Sequence, residues 1–298
     1  MKAISGIFAP LSTPFDATGA VDGLAFEENV EKYGRTGLAG LVVLGSNGEF
    51  VLLDEEEKVS LVERARRRLP RDKKIIAGTG RESLRDTLTL TRRCADAGAD
   101  AALVITPNYY KTDMGEAALE RYYTETADAS SLPVILYNMP RNTGVNISSA
   151  LAVRLSAHPN IVGIKDSSAN IVQITETIAD ADRDFSVIAG SASFLLATLV
   201  LGGDGGTMAV ANVVPDLCVE LYEAFLAGNL SRAREIQFAL MEINGAVTSR
   251  FGLGGMKAAM DMVGYRGGLP RPPILPASET TKSTIREIYR RLGIAPLV

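Results

Sequence analysis

The feature that most constrains this chain is an alternation: short apolar runs, each followed by a helical pattern, recur from one end to the other. The runs are residues 5–9, 40–44, 74–78, 101–106, 133–137, 161–165, 186–190 and 205–209. Several are rich in Val and Ile and lack polar alternation, as expected for parallel strands covered on both faces. The helices between them have legible starts. Asp54 followed by Glu57 predicts a capping box, with Val59, Val62, Ala65 and Leu69 as the buried stripe behind it. Ser83 opens a helix that ends near Gly98, and Ser148 opens another with Leu151 and Leu155 facing inward. Repeated strand–helix units of this kind predict a (β/α)8 TIM barrel over residues 1–228. A doubly wound sheet would want a glycine-rich turn after its first strand, and residues 5–11 contain none. Residues 229–298 carry three further helical stretches, near 231–249, 253–263 and 278–292, punctuated by Gly252, Gly264 and a proline-rich run from Pro270 to Pro276. They predict a C-terminal helical domain packed on the barrel.

Composition removes several classes of function. At 298 residues, 46% of them hydrophobic, the chain can fill one large core. Lys and Arg total 31 against 35 acidic residues, and no basic run is interleaved with aromatics, so nucleic acid is not an expected partner. Arg64, Arg66, Arg67, Arg68 and Arg71 read as a solvated helix end whose cations suit the dipole. No stretch is apolar for long enough to span a bilayer, and residues 1–6 lack the apolar core of a signal peptide, so a cytoplasmic protein is expected. Cys94 and Cys218 sit far apart in helical patterns and read as small buried hydrophobes in a reducing compartment. His158 is the single histidine, which argues against a histidine-rich zinc site and a Ser-His-Asp triad. Chemistry is left to lysine, tyrosine, serine and backbone groups.

Barrel chemistry belongs at the C-terminal ends of the strands. There Lys165 closes the sixth run, in Gly163-Ile164-Lys165-Asp166-Ser167. Burial disfavours an ammonium and favours the nucleophilic amine, which can form a Schiff base with a carbonyl. Equally, a lysine here could snorkel to water or pair with Asp166. Gly45-Ser46-Asn47-Gly48-Glu49-Phe50 follows the second run, either as a turn whose N–H groups bind a carboxylate or as a plain turn. Asn108-Tyr109-Tyr110 follows the fourth, with the tyrosines as loop packing or interface anchors. The fifth ends in Tyr137-Asn138-Met139-Pro140-Arg141-Asn142-Thr143-Gly144, and the seventh in Gly190, where a ligand could approach the backbone.

Three of these segments, in this order, resemble the pyruvate-dependent class I aldolases of the dihydrodipicolinate synthase and N-acetylneuraminate lyase family: Gly45 to Glu49, Tyr137 to Pro140 with Thr143-Gly144, and Gly163 to Ser167. The resemblance covers almost the whole chain. It implies that Lys165 forms the imine, that Tyr137 shuttles protons, that Ser46 is the relay hydroxyl, and that Tyr109 completes the relay of a neighbouring subunit. It further implies Ser46, Asn47, Gly190, Asn142 and Ser167 as substrate-binding positions, no metal or dissociable cofactor, and a homotetramer built as a dimer of dimers. Departures narrow the expectation. Ser46-Asn47 replaces the usual Thr-Thr of the synthases, Asn142 replaces an arginine with Arg141 one residue early, and Asn108 replaces the first of two tyrosines. With Gly252, Gly255, Met256, Lys257, Asp261 and Gly264, the pattern resembles 4-hydroxy-2-oxoglutarate aldolases. The leading expectation is cleavage of 4-hydroxy-2-oxoglutarate, or a similar 4-hydroxy-2-oxo acid, to pyruvate and an aldehyde. The alternative is condensation of pyruvate with aspartate semialdehyde. Aldolases or dehydratases of 2-keto-3-deoxy sugar acids, N-acetylneuraminate lyase and a non-catalytic keto-acid sensor complete the set.

Overall fold

Parallel pairing runs through the structure from its first strand to its last, in a computed structural model that describes residue 2 and residues 4–297. Met1 and Ala3, part of the segment read for a leader, lie outside the described residues. The strands are β1 (Gly6–Pro10), β2 (Gly40–Val43), β3 (Lys74–Gly78), β4 (Ala101–Ile105), β5 (Val134–Asn138), β6 (Ile161–Asp166), β7 (Ser186–Ala189) and β8 (Gly205–Thr207). Each pairs with its sequence neighbours, and β8 returns to β1 to close the barrel. The fold is the (β/α)8 TIM barrel that the alternation predicts. The last two strands stop short of the expected Gly190 and Ala209, because the chain turns there into 3-10 segments at Ala192–Phe194 and Ala209–Asn212.

The outer layer is α1 (Gly23–Gly34), α2 (Glu55–Arg68), α3 (Leu84–Asp96), α4 (Glu116–Ala129), the one-turn α5 (Pro140–Thr143), α6 (Ser149–Ser156), α7 (Ile171–Asp180), α8 (Leu195–Val200) and α9 (Pro215–Leu226). Asp54 and Glu57 form the expected reciprocal capping box, and Ser83 and Ser148 cap α3 and α6. Beyond the barrel lie α10 (Leu230–Gly245), α11 (Gly252–Met262) and α12 (Glu279–Arg291). The helix expected through Ser249 changes at Ala246 into a π-helical turn, where the Thr248 hydroxyl donates to the Asn244 carbonyl at 2.5 Å.

Strand parity divides the core. Phe8, Val42, Ile76, Leu103, Ile135 and Ile188 point into the barrel and fill it. Their chain neighbours, such as Ile7, Leu41, Val43, Ile75 and Ala77, face the helices. The arginine-rich end of α2 is solvated at Arg67, Arg68 and Arg71, as its sequence suggests, but not throughout. Arg66 is 7% exposed and donates to the carbonyls of Leu69 and Pro70 at 2.9 Å each. Arg64 and Arg68 converge on Glu27 of α1 at 2.6 and 2.8 Å. Burial pushes the Glu27 carboxyl up, but hydrogen bonds from Arg68 and Arg64 outweigh it and hold the group below its usual range. Cys94 and Cys218 are free and buried, as expected, and burial pushes the Cys94 thiol up to about 12. Among the described residues no helix is long and apolar enough to cross a membrane.

Candidate active site

Register decides which way Lys165 points. It pairs with Tyr137 on one side and Ile188 on the other, so it shares the inward parity of both. The side chain is 4% exposed, and its Nζ lies 4.2 Å from the centroid of the Tyr137 ring. Among the described residues no carboxylate or carbonyl pairs with it. Asp166 faces the opposite side of β6 and is already engaged. Its Oδ2 accepts from Asn138 Nδ2 at 2.9 Å and Gln173 Nε2 at 3.0 Å, and its Oδ1 accepts from the N–H and hydroxyl of Ser168. Of the readings that the sequence leaves open, pairing with Asp166 and snorkelling to water are both removed. A buried amine with no counter-ion remains, and such groups mark reactive sites.

The Tyr137 hydroxyl lies 3.3 Å from Ser46 Oγ, which joins the ends of β2 and β5 across the mouth. Ser46 opens a 3-10 turn over Ser46–Gly48 whose first bond runs from Gly48 N–H to Gly45 C=O at 2.9 Å. That leaves the N–H groups of Ser46 and Asn47 ahead of the turn's own ladder. Backbone strain gathers at the same rim. The non-glycine residues with positive φ, among those described, are Leu44 (64°), Glu49 (55°) and Ala169 (61°), all in the loops after β2 and β6. A narrow cleft opens there, with Gly45, Ser46, Phe50, Ile105 and Tyr137 in its wall.

The remaining candidates divide. A Cβ on Gly190 would fall 1.9 Å from Ser167 Oγ, so close packing of the β6 and β7 ends already requires that glycine without any ligand. Asn142 and Arg141 are exposed on α5, as their loop position suggests. Tyr109 is not gathered with Lys165, Tyr137 and Ser46. It is 77% exposed and meets Tyr110 edge to face at 5.0 Å, while Glu82 binds the N–H groups of Asn108 and Tyr109. His158 precedes β6 and so lies at the other end of the barrel, 3.0 Å from Asp128. Sequence reasoning missed the polar wall of Asn138, Asp166, Gln173 and Asn146 behind the site. The strand period of two was the available signal, because it sends Asp166 away from Lys165. It also gave Lys257 no role, although a lysine within Gly255-Met256-Lys257-Ala258-Ala259 interrupts an otherwise apolar helix face.

Residues 3–292 match the sequence model described as the dihydrodipicolinate synthetase family. A 4-hydroxy-tetrahydrodipicolinate synthase of Methanothrix thermoacetophila is 36% identical over 97% of each chain. A probable mitochondrial 4-hydroxy-2-oxoglutarate aldolase of Emericella nidulans is 34% identical, covering 96% of this chain and 94% of that one. An L-threo-3-deoxy-hexylosonate aldolase of Hypocrea jecorina is 35% identical, covering 96% and 95%. Among solved structures, a prophage protein of the family from E. coli K12 in complex with pyruvate superposes with a TM-score of 0.92 at 31% identity, over 98% of this chain and all of that one. The chain belongs to the dihydrodipicolinate synthetase family and is a pyruvate-dependent carbon–carbon lyase of the class I aldolase type.

Proposed function

We propose that the chain cleaves 4-hydroxy-2-oxoglutarate, or a similar 4-hydroxy-2-oxo acid, to pyruvate and an aldehyde through an imine on Lys165. The observation that carries the chemistry is the buried, counter-ion-free amine over the Tyr137 ring, with the Tyr137 hydroxyl in contact with Ser46. The amine adds to the C2 carbonyl, and water leaves as Tyr137 moves the protons. The C4 hydroxyl then loses its proton, the C3–C4 bond breaks, and its electron pair is held as the enamine. Protonation at C3 and hydrolysis release pyruvate and restore the lysine. The N–H groups of Ser46 and Asn47 hold the pyruvyl carboxylate, with Gly190 and Ser167 beside it. Tyr109, exposed in one chain, extends into a neighbour's site in a tetramer built as a dimer of dimers. No metal or dissociable cofactor takes part in this scheme.

Asn142, exposed where the synthases carry an arginine, supports the cleavage reading. A second reading, condensation of pyruvate with aspartate semialdehyde, is favoured by the relatives named as synthases. Borohydride with pyruvate should leave a stable adduct on Lys165, and its absence would end the imine mechanism. Pyruvate release from 4-hydroxy-2-oxoglutarate, compared with pyruvate consumption in the presence of aspartate semialdehyde, separates the two substrates. Condensation without cleavage would overturn the preferred reading.

A further inference from the structure

A second lysine is buried at the same end of the barrel, and the aldolase chemistry makes no use of it. Lys257 of α11 is 1% exposed. Its Nζ donates to the carbonyls of Thr13 at 2.6 Å and Leu269 at 2.7 Å. It also lies 2.8 Å from Glu49 Oε1, as an ion pair off hydrogen-bond alignment. The other Glu49 oxygen accepts the N–H of Arg271 at 2.9 Å. Thr13 closes the circuit, because its hydroxyl donates to the Gly48 carbonyl at 2.8 Å. Phe15 offers its ring to both cations, with Lys257 Nζ 4.7 Å and the Arg271 guanidinium 4.3 Å from the centroid. Next to this circuit, Asn47 Nδ2 donates to Met256 Sδ at 3.3 Å.

Three of these contacts, from Lys257 and Arg271 to Glu49 and from Asn47 to Met256, tie the C-terminal segment directly to the turn that carries Ser46 and Asn47, and Thr13 adds an indirect link through Gly48. The turn needs holding. Glu49 sits at φ 55°, a backbone region that non-glycine residues avoid, between 3-10 segments at Ser46–Gly48 and Phe50–Leu52. Net stability is a poor explanation for the ion pair, since the desolvation of two charges offsets most of their attraction. What a buried, multiply bonded pair does supply is a fixed position for both partners.

We propose that Glu49 and Lys257 are positioning residues through which the C-terminal helices set the pose of the Gly45–Glu49 turn, and with it the affinity of the site for the pyruvyl carboxylate. The inference rests on the assignment of that turn as the carboxylate site. Its consequence is that α11 is part of the working site although it touches no reacting atom.

The test follows borohydride trapping as a function of pyruvate concentration in the full chain, beside the thermal midpoint. The double variant Glu49→Gln/Lys257→Met removes both charges together and so leaves neither stranded. Its half-saturating pyruvate concentration should rise about tenfold or more, as expected when a binding turn shifts by a fraction of an ångström. The adduct should still reach full occupancy at saturating pyruvate, and the midpoint should stay near that of the parent. A folded double variant with unchanged half-saturation would overturn the proposal and leave the pair a packing feature. Should that variant fail to fold, Glu49→Gln alone keeps the side chain's shape while removing the charge that faces Lys257. A several-fold rise in half-saturation would then support the proposal, and no change would overturn it. A parent enzyme that never forms the adduct would overturn the carboxylate-site reading and this inference together. An adduct in the parent with unshifted variants overturns this inference alone.

Discussion

Lys165 and Lys257 are both buried at the catalytic end of the barrel, yet the protein treats them in opposite ways. An ammonium has three hydrogens to place. Lys257 faces three oxygens, from Thr13, Leu269 and Glu49, and has a ring face beside it. Lys165 has the Tyr137 ring and, among the described residues, no hydrogen-bonded oxygen. Burial weakens the Lys257 ammonium by desolvation, and the Glu49 charge works against that. Depth therefore does not separate the two lysines; the acceptor shell does. A satisfied buried cation holds two segments together. An unsatisfied one is free to bond to something that arrives.

The sharpest way to break this comparison is to remove each amine in turn. Lys165→Met should leave no cleavage above background and no borohydride adduct, while its unfolding free energy stays unchanged or rises. Near-normal turnover in that variant would end the assignment. Tyr137→Phe keeps the ring under the amine and deletes the hydroxyl. Turnover should fall about 10²–10⁴-fold, as for loss of a proton-transfer group, with the imine still trapped slowly. Unchanged turnover in that variant would assign Tyr137 to cushioning the amine through its ring instead. Lys257→Met alone strands the buried Glu49 carboxylate and should lower the unfolding free energy by about 3–5 kcal/mol in urea melts. If Lys165→Met lost as much, the distinction between the two lysines would fail. Ser46→Ala removes one long neutral hydrogen bond, and kcat/KM should drop about tenfold.

The smallest effect is a pH dependence at the edge of the Lys257 region. Hydrogen bonding from Arg271 holds the Glu57 carboxyl below its ordinary 4.5, with burial opposing. Because the folded pKa is depressed, the stability from this pair is complete above the ordinary value. It is lost as pH falls through the lowered one. Urea midpoints followed through the acid range should decline less steeply in Arg271→Gln than in the parent.

Local signals carried the barrel. Apolar runs without alternation marked the strands, and Asp54, Ser83 and Ser148 marked helix starts that the structure reproduces to the residue. Lys165 could be singled out because a lysine ending an apolar run is unusual, but its freedom from Asp166 became visible only through strand register. Arg67, Arg68 and Arg71 are exposed as their run suggested, whereas the partner of Arg64 and Arg68, Glu27, lies on another helix and was not legible locally. The Glu49–Lys257 pair joins residues far apart in sequence, and no local pattern announces a contact of that range. Tyr109 is exposed in a single chain, and the relay role proposed for it requires a neighbouring subunit.

The polar wall behind β6 has one more consequence. Tyr137 stands opposite Lys165, and Asn138 opposite Asp166. A slip of one residue between β5 and β6 would exchange the two faces, sending the amine among the helices and the carboxylate into the lumen. It would also break the bond from Asn138 to Asp166, at the place where Gln173 of the helix layer completes it. Misassembly is thereby made unstable in the same act that makes it inert. The wall works as a proofreader, which lets the chain keep a loosely held lysine at its mouth without risk to the frame around it.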